Sequence, residues 1–507
     1  MGGETDKVVV QGSASPEIPK ANKYAIGCSL LGSMTSMLMG YDIGVMSGAT
    51  IFIQEQFHLS DVRLELLAGL LSIYSLVGAA FAGRTSDMVG RRYTIVVAGC
   101  FFFAGAILMG FATNYAFLMV GRFVAGIGVG FAMMISPVYT AEVAPASMRG
   151  FLTSFTEVFV NVGILLGYVS NYVFARLPPH LGWRFMLGVG AVPSVLITLG
   201  VLAMPESPRW LVMQGRLGEA KRVLEKVSVS EKEAQQRLAG IKEAADIPLD
   251  CDSEIIELPK KESHGAGVWR EMFVHPSPAV RHILICAIGM HFFQQVSGID
   301  AVVLYSPRIF AKAGISSSKG SLLATVGVGL VKTLAIFIAT FLLDKKGRRP
   351  LLLTSVLCMF AALVTLGTCL TVIHYSQQKL TAALGLSIAM VYFYVASFSV
   401  GIGPMVYVYC SEIFPLRLRA QGMGLGIAVN RLFSGIISIS FLSLYHAITI
   451  GGAFFLFAGI VFVSFVFFFS WCPETKGRSL EDIEGLFGKL WGWRYAVKEE
   501  QKKGGEA

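Results

Sequence analysis

Six ionisable residues stand inside long apolar runs: the acids Asp42, Glu157 and Asp300 and the bases Arg122, Lys332 and Arg431. Burying such groups in lipid is costly, which makes each a candidate for function. Equal numbers of both signs also permit mutual neutralisation, so a purely structural reading stands beside the functional one. Asp42 and Arg122 are the pair whose chemistry is clearest. A carboxylate beside an arginine stays ionised, and one that loses the arginine in an apolar surrounding takes up a proton more readily. A permanent ion pair is the alternative. The amides of Gln294, Gln295 and Asn430 offer donors and acceptors together, and His291, three residues before Gln294, shares its helix face. A packing role is preferred for that histidine.

These residues need apolar elements to hold them. Of the 507 residues 54% are hydrophobic and 15% charged, and the mean hydropathy is +0.63. A soluble globular domain carries about a quarter charged residues. The net charge of +9 comes from basic residues between apolar runs, which argues for basic loops of a membrane protein and against a nucleic-acid partner. Twelve runs long enough to span begin near Tyr24, Leu66, Tyr93, Ala116, Phe151, Trp183, Ile283, Leu322, Leu351, Thr381, Gly422 and Gly452. They do not alternate in polarity, so helices are expected and not a barrel. Counted along span 1, Asp42 lies about 27 Å from its start, and Arg122 lies about 9 Å into span 4 from the same far side, so the two can meet.

The expected organisation is a tail (1–22), a six-helix bundle (23–204), a charged linker (205–280), a second six-helix bundle (281–472) and a second tail (473–507). In the linker, Leu217–Ala245 reads as short amphipathic helices, and the stretch from Asp246 to Gly265 as helix or solvated linker equally. Dense basic clusters fall on one side: Arg84, Arg91 and Arg92; Arg149; Lys345, Lys346, Arg348 and Arg349; Arg417 and Arg419. Both termini and the linker are therefore expected in the cytoplasm, although Arg63, Arg176, Arg308, Lys312, Lys319 and Lys379 lie opposite. No cleavable signal is apparent, the myristoylation pattern fails at Asp6, and no Asn-x-Ser/Thr acceptor occurs. The eight cysteines lack metal-ligand spacing; seven lie in or beside apolar runs and read as small buried hydrophobes. Gly126-x-Gly128-x-Gly130 has no preceding strand, so close helix packing is expected there and not a nucleotide loop.

Three motifs recur in order in the two halves. Asp87-x-x-Gly90-Arg91-Arg92 returns as Asp344-x-x-Gly347-Arg348-Arg349, Glu142 with Arg149 as Glu412 with Arg419, and Pro205-Glu206-Ser207 as Pro473-Glu474-Thr475. Parallel six-span repeats are the plan of carriers with a site between two bundles. These charges, together with Arg209, are candidates for a cytoplasmic gate that pairs and separates; plain topology is the alternative.

Gly83-Arg84-Thr85-Ser86-Asp87, Pro205-Glu206-Ser207-Pro208-Arg209-Trp210-Leu211, Gln294-Gln295-x-Ser297-Gly298-Ile299 and Pro473-Glu474-Thr475-Lys476-Gly477 resemble the signature of the sugar porter family in the major facilitator superfamily. With Gly40-Tyr41-Asp42-Ile43-Gly44-Val45-Met46-Ser47-Gly48, the chain most resembles the plant polyol and monosaccharide transporters. The resemblance covers nearly all of the chain apart from its tails. It implies an all-α membrane protein of twelve transmembrane helices in two six-helix bundles, the major facilitator fold, with cytoplasmic amphipathic helices. It also implies proton coupling at Asp42, because proton-coupled members carry Asp there and many facilitators Asn. Sugar contacts are implied at Gln294, Gln295, Asn430, Glu157, Asp300 and Lys332.

A hydroxyl-rich ligand loses water on entry, and such amides and charges replace those bonds. Phe293, Phe398 and Tyr407 supply apolar faces for a carbon skeleton or simply pack helices. The chain departs from hexose carriers at Glu157 (usually Gln), at Asp300 and Lys332 (usually Asn) and at Arg431 (often Trp). Asp300 and Lys332 are expected to pair across spans 7 and 8, and Glu157 is an alternative proton site. The expected function is proton-coupled symport of polyols such as sorbitol, mannitol or inositol, and of monosaccharides, by alternating access. A facilitative uniporter and a non-transporting sensor are the alternatives, the latter disfavoured by a short tail. No enzyme constellation, metal site or cofactor loop is visible. The expected partners are the small polyol or monosaccharide, protons and the lipid bilayer, with no nucleic acid. A monomer is expected, in the plasma membrane, with the vacuolar membrane open.

Overall fold

The computed structural model describes residues 22–145, 148–245, 247–249, 251, 253–256, 265–376, 380–415, 418–475 and 487; the side chains of 244, 265–268 and 343–345 are outside this description. Among the described residues the secondary structure is helical, and twelve helices are long and apolar enough to cross a membrane. In order they are spans 1 (Lys23–Phe57), 2 (Asp61–Val89), 3 (Arg91–Gly110), 4 (Tyr115–Val143), 5 (Arg149–Phe174), 6 (Pro179–Leu202), 7 (Pro278–Ala313), 8 (Ser318–Leu342), 9 (Arg348–Tyr375), 10 (Thr381–Ile413), 11 (Arg419–Ile448) and 12 (Ile450–Trp471). This is the all-α, twelve-span fold expected from hydropathy.

Close approach of spans 1 and 5 rests on glycine. A side chain at Gly40 would run into the Val160 carbonyl, one at Gly44 into that of Ile164, and one at Gly163 into that of Met37. Backbones in lipid pack this tightly only across small residues. The Gly126-x-Gly128-x-Gly130 stretch behaves likewise, with Gly130 against Ser75 of span 2 and Gly128 against Phe102 of span 3.

Two spans break where the candidate site needs polar backbone. Span 7 consists of helices Pro278–Val296 and Ile299–Ala313, joined through Gly298 at φ +91°, a left-handed value that glycine adopts without strain. Span 10 breaks at Gly401 between Thr381–Val400 and Ile402–Ile413. The freed Ser297 carbonyl accepts from the Tyr394 hydroxyl at 2.9 Å, so the break leaves no orphan there.

The first six spans meet the last six chiefly where span 2 packs on span 11 and span 5 on span 8. Between the halves, Leu217–Val227 and Glu231–Ala244 are helices, the first burying Leu217, Ala220, Leu224 and Val227. Arg237 of the second donates to the carbonyls of Glu142 and Ala144 at the end of span 4, at 3.2 and 3.1 Å. That satisfies groups a helix end leaves unpaired. Of the expected linker, residues 246, 250, 252 and 257–264 lie outside the described residues, as do Lys379, Arg417 and both tails apart from 22, 473–475 and 487.

Candidate functional site

Span 1 presents Asp42 and span 4 presents Arg122 at one depth, and their side chains meet: Arg122 Nη1 to Asp42 Oδ2 is 2.5 Å, each side chain being 1% exposed. The rest of the guanidinium is anchored on span 2, with Nε on the Leu67 carbonyl at 3.0 Å and Nη2 on that of Ala68 at 3.1 Å. Arginine suits this, since its rigid fork serves three acceptors at once.

Behind the breaks, the expected amides form one chain. Gln295 Nε2 donates to Asn430 Oδ1 at 3.0 Å, Asn430 Nδ2 to Gln294 Oε1 at 2.6 Å, and Gln294 Nε2 to the Gly403 carbonyl at 2.8 Å. The last bond lies in the first turn after the span 10 break. Arg431 holds Asn430 Oδ1 from Nε and Nη2 at 3.0 and 2.5 Å. Gln295 Oε1 and, on span 5, Asn161 Oδ1 are buried without a partner among the described residues. Both oxygens keep their full accepting capacity. Sequence reasoning does not single out Asn161, although it lies one turn from Glu157 on the same helix face.

Asp300 and Lys332 do not form the expected pair. The Ser434 hydroxyl donates to Asp300 Oδ2, and Ser434 in turn lies 3.0 Å from Ser72 of span 2. Lys332 sits in the joint field of Asp300, Glu157 and Arg431, and among the described residues it forms no hydrogen bond or ion pair with them. The reason is local: Asp300 follows directly on the Gly298 break, which aims it at span 11 and not at span 8. Glu157, Lys332 and Asp300 each keep partial solvent access although they stand mid-span, so they line an interior space. A cavity of about 20 Å³, room for one water, touches Arg122, Asp300, Ser72, Ser434 and Ser438. Phe398 packs on Gly403, and Tyr407 lies edge-on to His291 at 5.4 Å. Phe293 instead faces Phe467 and Phe468 of span 12 at 5.3 and 6.0 Å, which makes it a packing residue.

The recurring basic motifs build the same cluster twice. In the first half Arg91 Nε meets Glu142 at 3.1 Å and Nη1 meets Asp87 at 3.2 Å, while Glu206 accepts the backbone N–H groups of Arg91 and Arg92 at 2.9 and 3.1 Å. Ser207 donates to Glu142 at 2.5 Å. In the second half Arg348 Nη2 meets Glu412 at 2.9 Å, Glu474 accepts the N–H groups of Arg348 and Arg349 at 3.0 Å each, and Thr475 donates to Glu412 at 2.6 Å. These ion pairs lie within a half, so in this conformation they tie each bundle to itself. Burial pushes the Glu206 carboxyl above its usual range, opposed by the N–H groups of Ser207, Arg92 and Arg91 and by the Arg91 charge. Arg419 caps span 10 through the Phe414 carbonyl at 3.2 Å. Arg84, Arg149 and Arg209 are exposed. The Asp344 side chain is outside the described residues.

The family described as "Sugar (and other) transporter" matches residues 28–487. The chain belongs to this sugar transporter family. It is 63% identical over 478 residues to putative polyol transporter 1 of Arabidopsis thaliana, covering 94% of each chain. To polyol transporter 5 of the same plant it is 61% identical over 486 residues, 96% of this chain and 90% of the relative. The fold matches the proton:xylose symporter XylE bound to 6-bromo-6-deoxy-D-glucose at TM-score 0.74 and 28% identity, over 92% and 99% of the two chains. It matches the inward-open conformation of the Escherichia coli xylose transporter XylE at 0.75 and 27%, over 92% and 100%. The chain is thus a multi-pass membrane transporter of the major facilitator superfamily and not an enzyme.

In this sugar transporter a group of polar contacts that join the halves at the end away from the basic clusters escapes sequence reasoning. Glu65 of span 2, 1% exposed, accepts the Ser443 N–H at 2.8 Å and its hydroxyl at 2.6 Å on span 11. Asp61 lies 3.5 Å from Arg308 and 3.1 Å from His446, and Arg308 also donates to Gln54. From sequence, Arg308 registers only as an exception to charge topology.

Proposed function

We propose that this transporter is a proton-coupled symporter of polyols, and also of monosaccharides, working by alternating access as a monomer between bundles 23–204 and 281–472. The observation that carries proton coupling is the fully buried Asp42–Arg122 contact, whose carboxylate depends on one arginine for its countercharge. Movement of Arg122 toward another acceptor leaves Asp42 free to bind a proton, and return of Arg122 expels it. The polyol transporters among the relatives support polyols as substrate, and the proton:xylose symporter among the structural neighbours supports coupling. In this reading Gln294, Gln295, Asn430 and Asn161 hold substrate hydroxyls, and Glu157, Asp300, Lys332 and Arg431 supply the ionic ones. The basic clusters set both termini and the central linker in the cytoplasm, and the membrane is the plasma membrane. The joined end of the bundles is then extracellular.

The test is current in voltage-clamped oocytes on adding sorbitol, mannitol, myo-inositol, xylose or glucose at acidic and neutral external pH. An inward, acid-enhanced current that disappears in Asp42→Asn is expected. Labelled uptake without current overturns the coupling, and neither uptake nor current from protein shown at the surface overturns transport of these solutes.

A further inference from the structure

His291 is 0% exposed, yet neither ring nitrogen has a hydrogen-bond partner among the described residues. A neutral imidazole carries one donor and one acceptor, and leaving both unmade in a buried site is costly. Its neighbourhood repeats the amide layer one turn lower. At 1.5 Å per residue, His291 lies about 4.5 Å from Gln294 toward the basic-loop end, and Tyr407 about 6 Å from Gly403 in the same direction. On span 11, Gly426 lies about 6 Å below Asn430. Three helices therefore bring His291, Tyr407 and Gly426 to a common second level. The contacts agree: His291 meets Tyr407 edge-on at 5.4 Å, and its Nε2–Cδ2 edge sits where a side chain on Gly426 would be. That leaves Nδ1 on the far edge of the ring. The Tyr407 hydroxyl has no partner among the described residues, the residue as a whole is only half-buried, and the Arg431 charge reaches both rings.

We propose that His291, with the Tyr407 hydroxyl, forms a second hydrogen-bonding layer that receives the far end of an extended polyol. The carrier then favours longer polyols, which reach His291 while their other hydroxyls stay on the amide layer at Gln295 Oε1, over shorter ones. This rests on the polyol reading given above. His291 acts by binding, and substrate entry to this level requires the Tyr407 ring to turn aside, since both nitrogens are covered in the present conformation.

The experiment compares KM for glycerol, erythritol, xylitol and sorbitol in the full-length carrier, with surface protein quantified. His291→Phe keeps the ring against Tyr407 and removes both nitrogens. It should raise KM for xylitol and sorbitol about tenfold, the loss of one buried hydrogen bond, while glycerol and erythritol stay within about twofold. His291→Gln, which restores a donor and an acceptor, should recover most of the difference. Gly426→Ala, which presses on Nε2 from span 11, should reproduce the length-selective rise and decides the matter if the phenylalanine variant fails to reach the surface. Equal losses at every length, or no loss at any, overturn the second layer. Absence of polyol uptake by the parent protein overturns the substrate reading itself and this inference with it.

Discussion

Replacing Glu65 by glutamine weakens the seal between the halves without emptying it. Both carboxylate oxygens accept from Ser443, at 2.8 Å from the N–H and 2.6 Å from the hydroxyl, across the boundary between spans 2 and 11. Hydrogen bonds to a charged acceptor contribute about 1.5–3 kcal/mol each, and neutral ones roughly half as much. Glu65→Gln keeps the shape and removes the charge; its one oxygen accepts the Ser443 N–H and its NH2 donates to the hydroxyl, so two neutral bonds replace two charged ones and the loss is about 1 kcal/mol per bond, or about 2 kcal/mol in all. The bonds join the halves and so exist only while this end is closed. The loss therefore moves the equilibrium toward the open state by about 30-fold. Ala68, 6% exposed on span 2 beside the cavity, serves as reporter. The rate at which a membrane-impermeant maleimide modifies Ala68→Cys from outside should rise by about that factor when Glu65→Gln is added, with the parent's own cysteines as blank. A rate that stays within about twofold, or falls, would show that the Glu65–Ser443 contact does not hold this end shut.

Two further outcomes follow from the geometry. Asn430→Ala strips the partners from Gln294 Oε1 and Gln295 Nε2; at about 1–3 kcal/mol per buried group left unpaired, substrate KM should rise at least tenfold at normal surface level, and an unchanged KM would remove this network from the site. Because the Glu206 carboxyl is raised above its usual 4.5 by burial, the folded state holds the proton more tightly than the unfolded chain. Its ionisation thus costs stability at neutral pH, and that cost is relieved as pH falls through the window just above 4.5. Melting of purified parent and Glu206→Gln at pH 7 and pH 5 should show the acid-side gain only in the parent, and equal pH slopes would contradict it.

Much of the architecture is legible in the order of the residues. Twelve apolar runs of spanning length admit only helices in lipid, and the paired motifs around Gly90 and Gly347 announce two similar bundles. Even the meeting of Asp42 with Arg122 follows from counting rise along two antiparallel spans. Depth is what a helical sequence encodes well, because each residue advances the chain by a constant amount. Rotation about the helix axis and the place where a helix breaks are not encoded that way. The Gly298 break turns Asp300 toward Ser434 and away from Lys332, and Gln294 finds its anchor at the Gly403 carbonyl, in the first turn after the Gly401 break of another span. Glu65 stands at the loop end of its apolar run, and its hydrogen-bond partner Ser443 on span 11 is 378 residues on. The helices, their sidedness relative to one another and the depth of each charge are thus written in the chain. Partner choice belongs to the tertiary structure, since a hydrogen bond is won or lost over about an ångström and only the packed bundles bring distant residues within that tolerance.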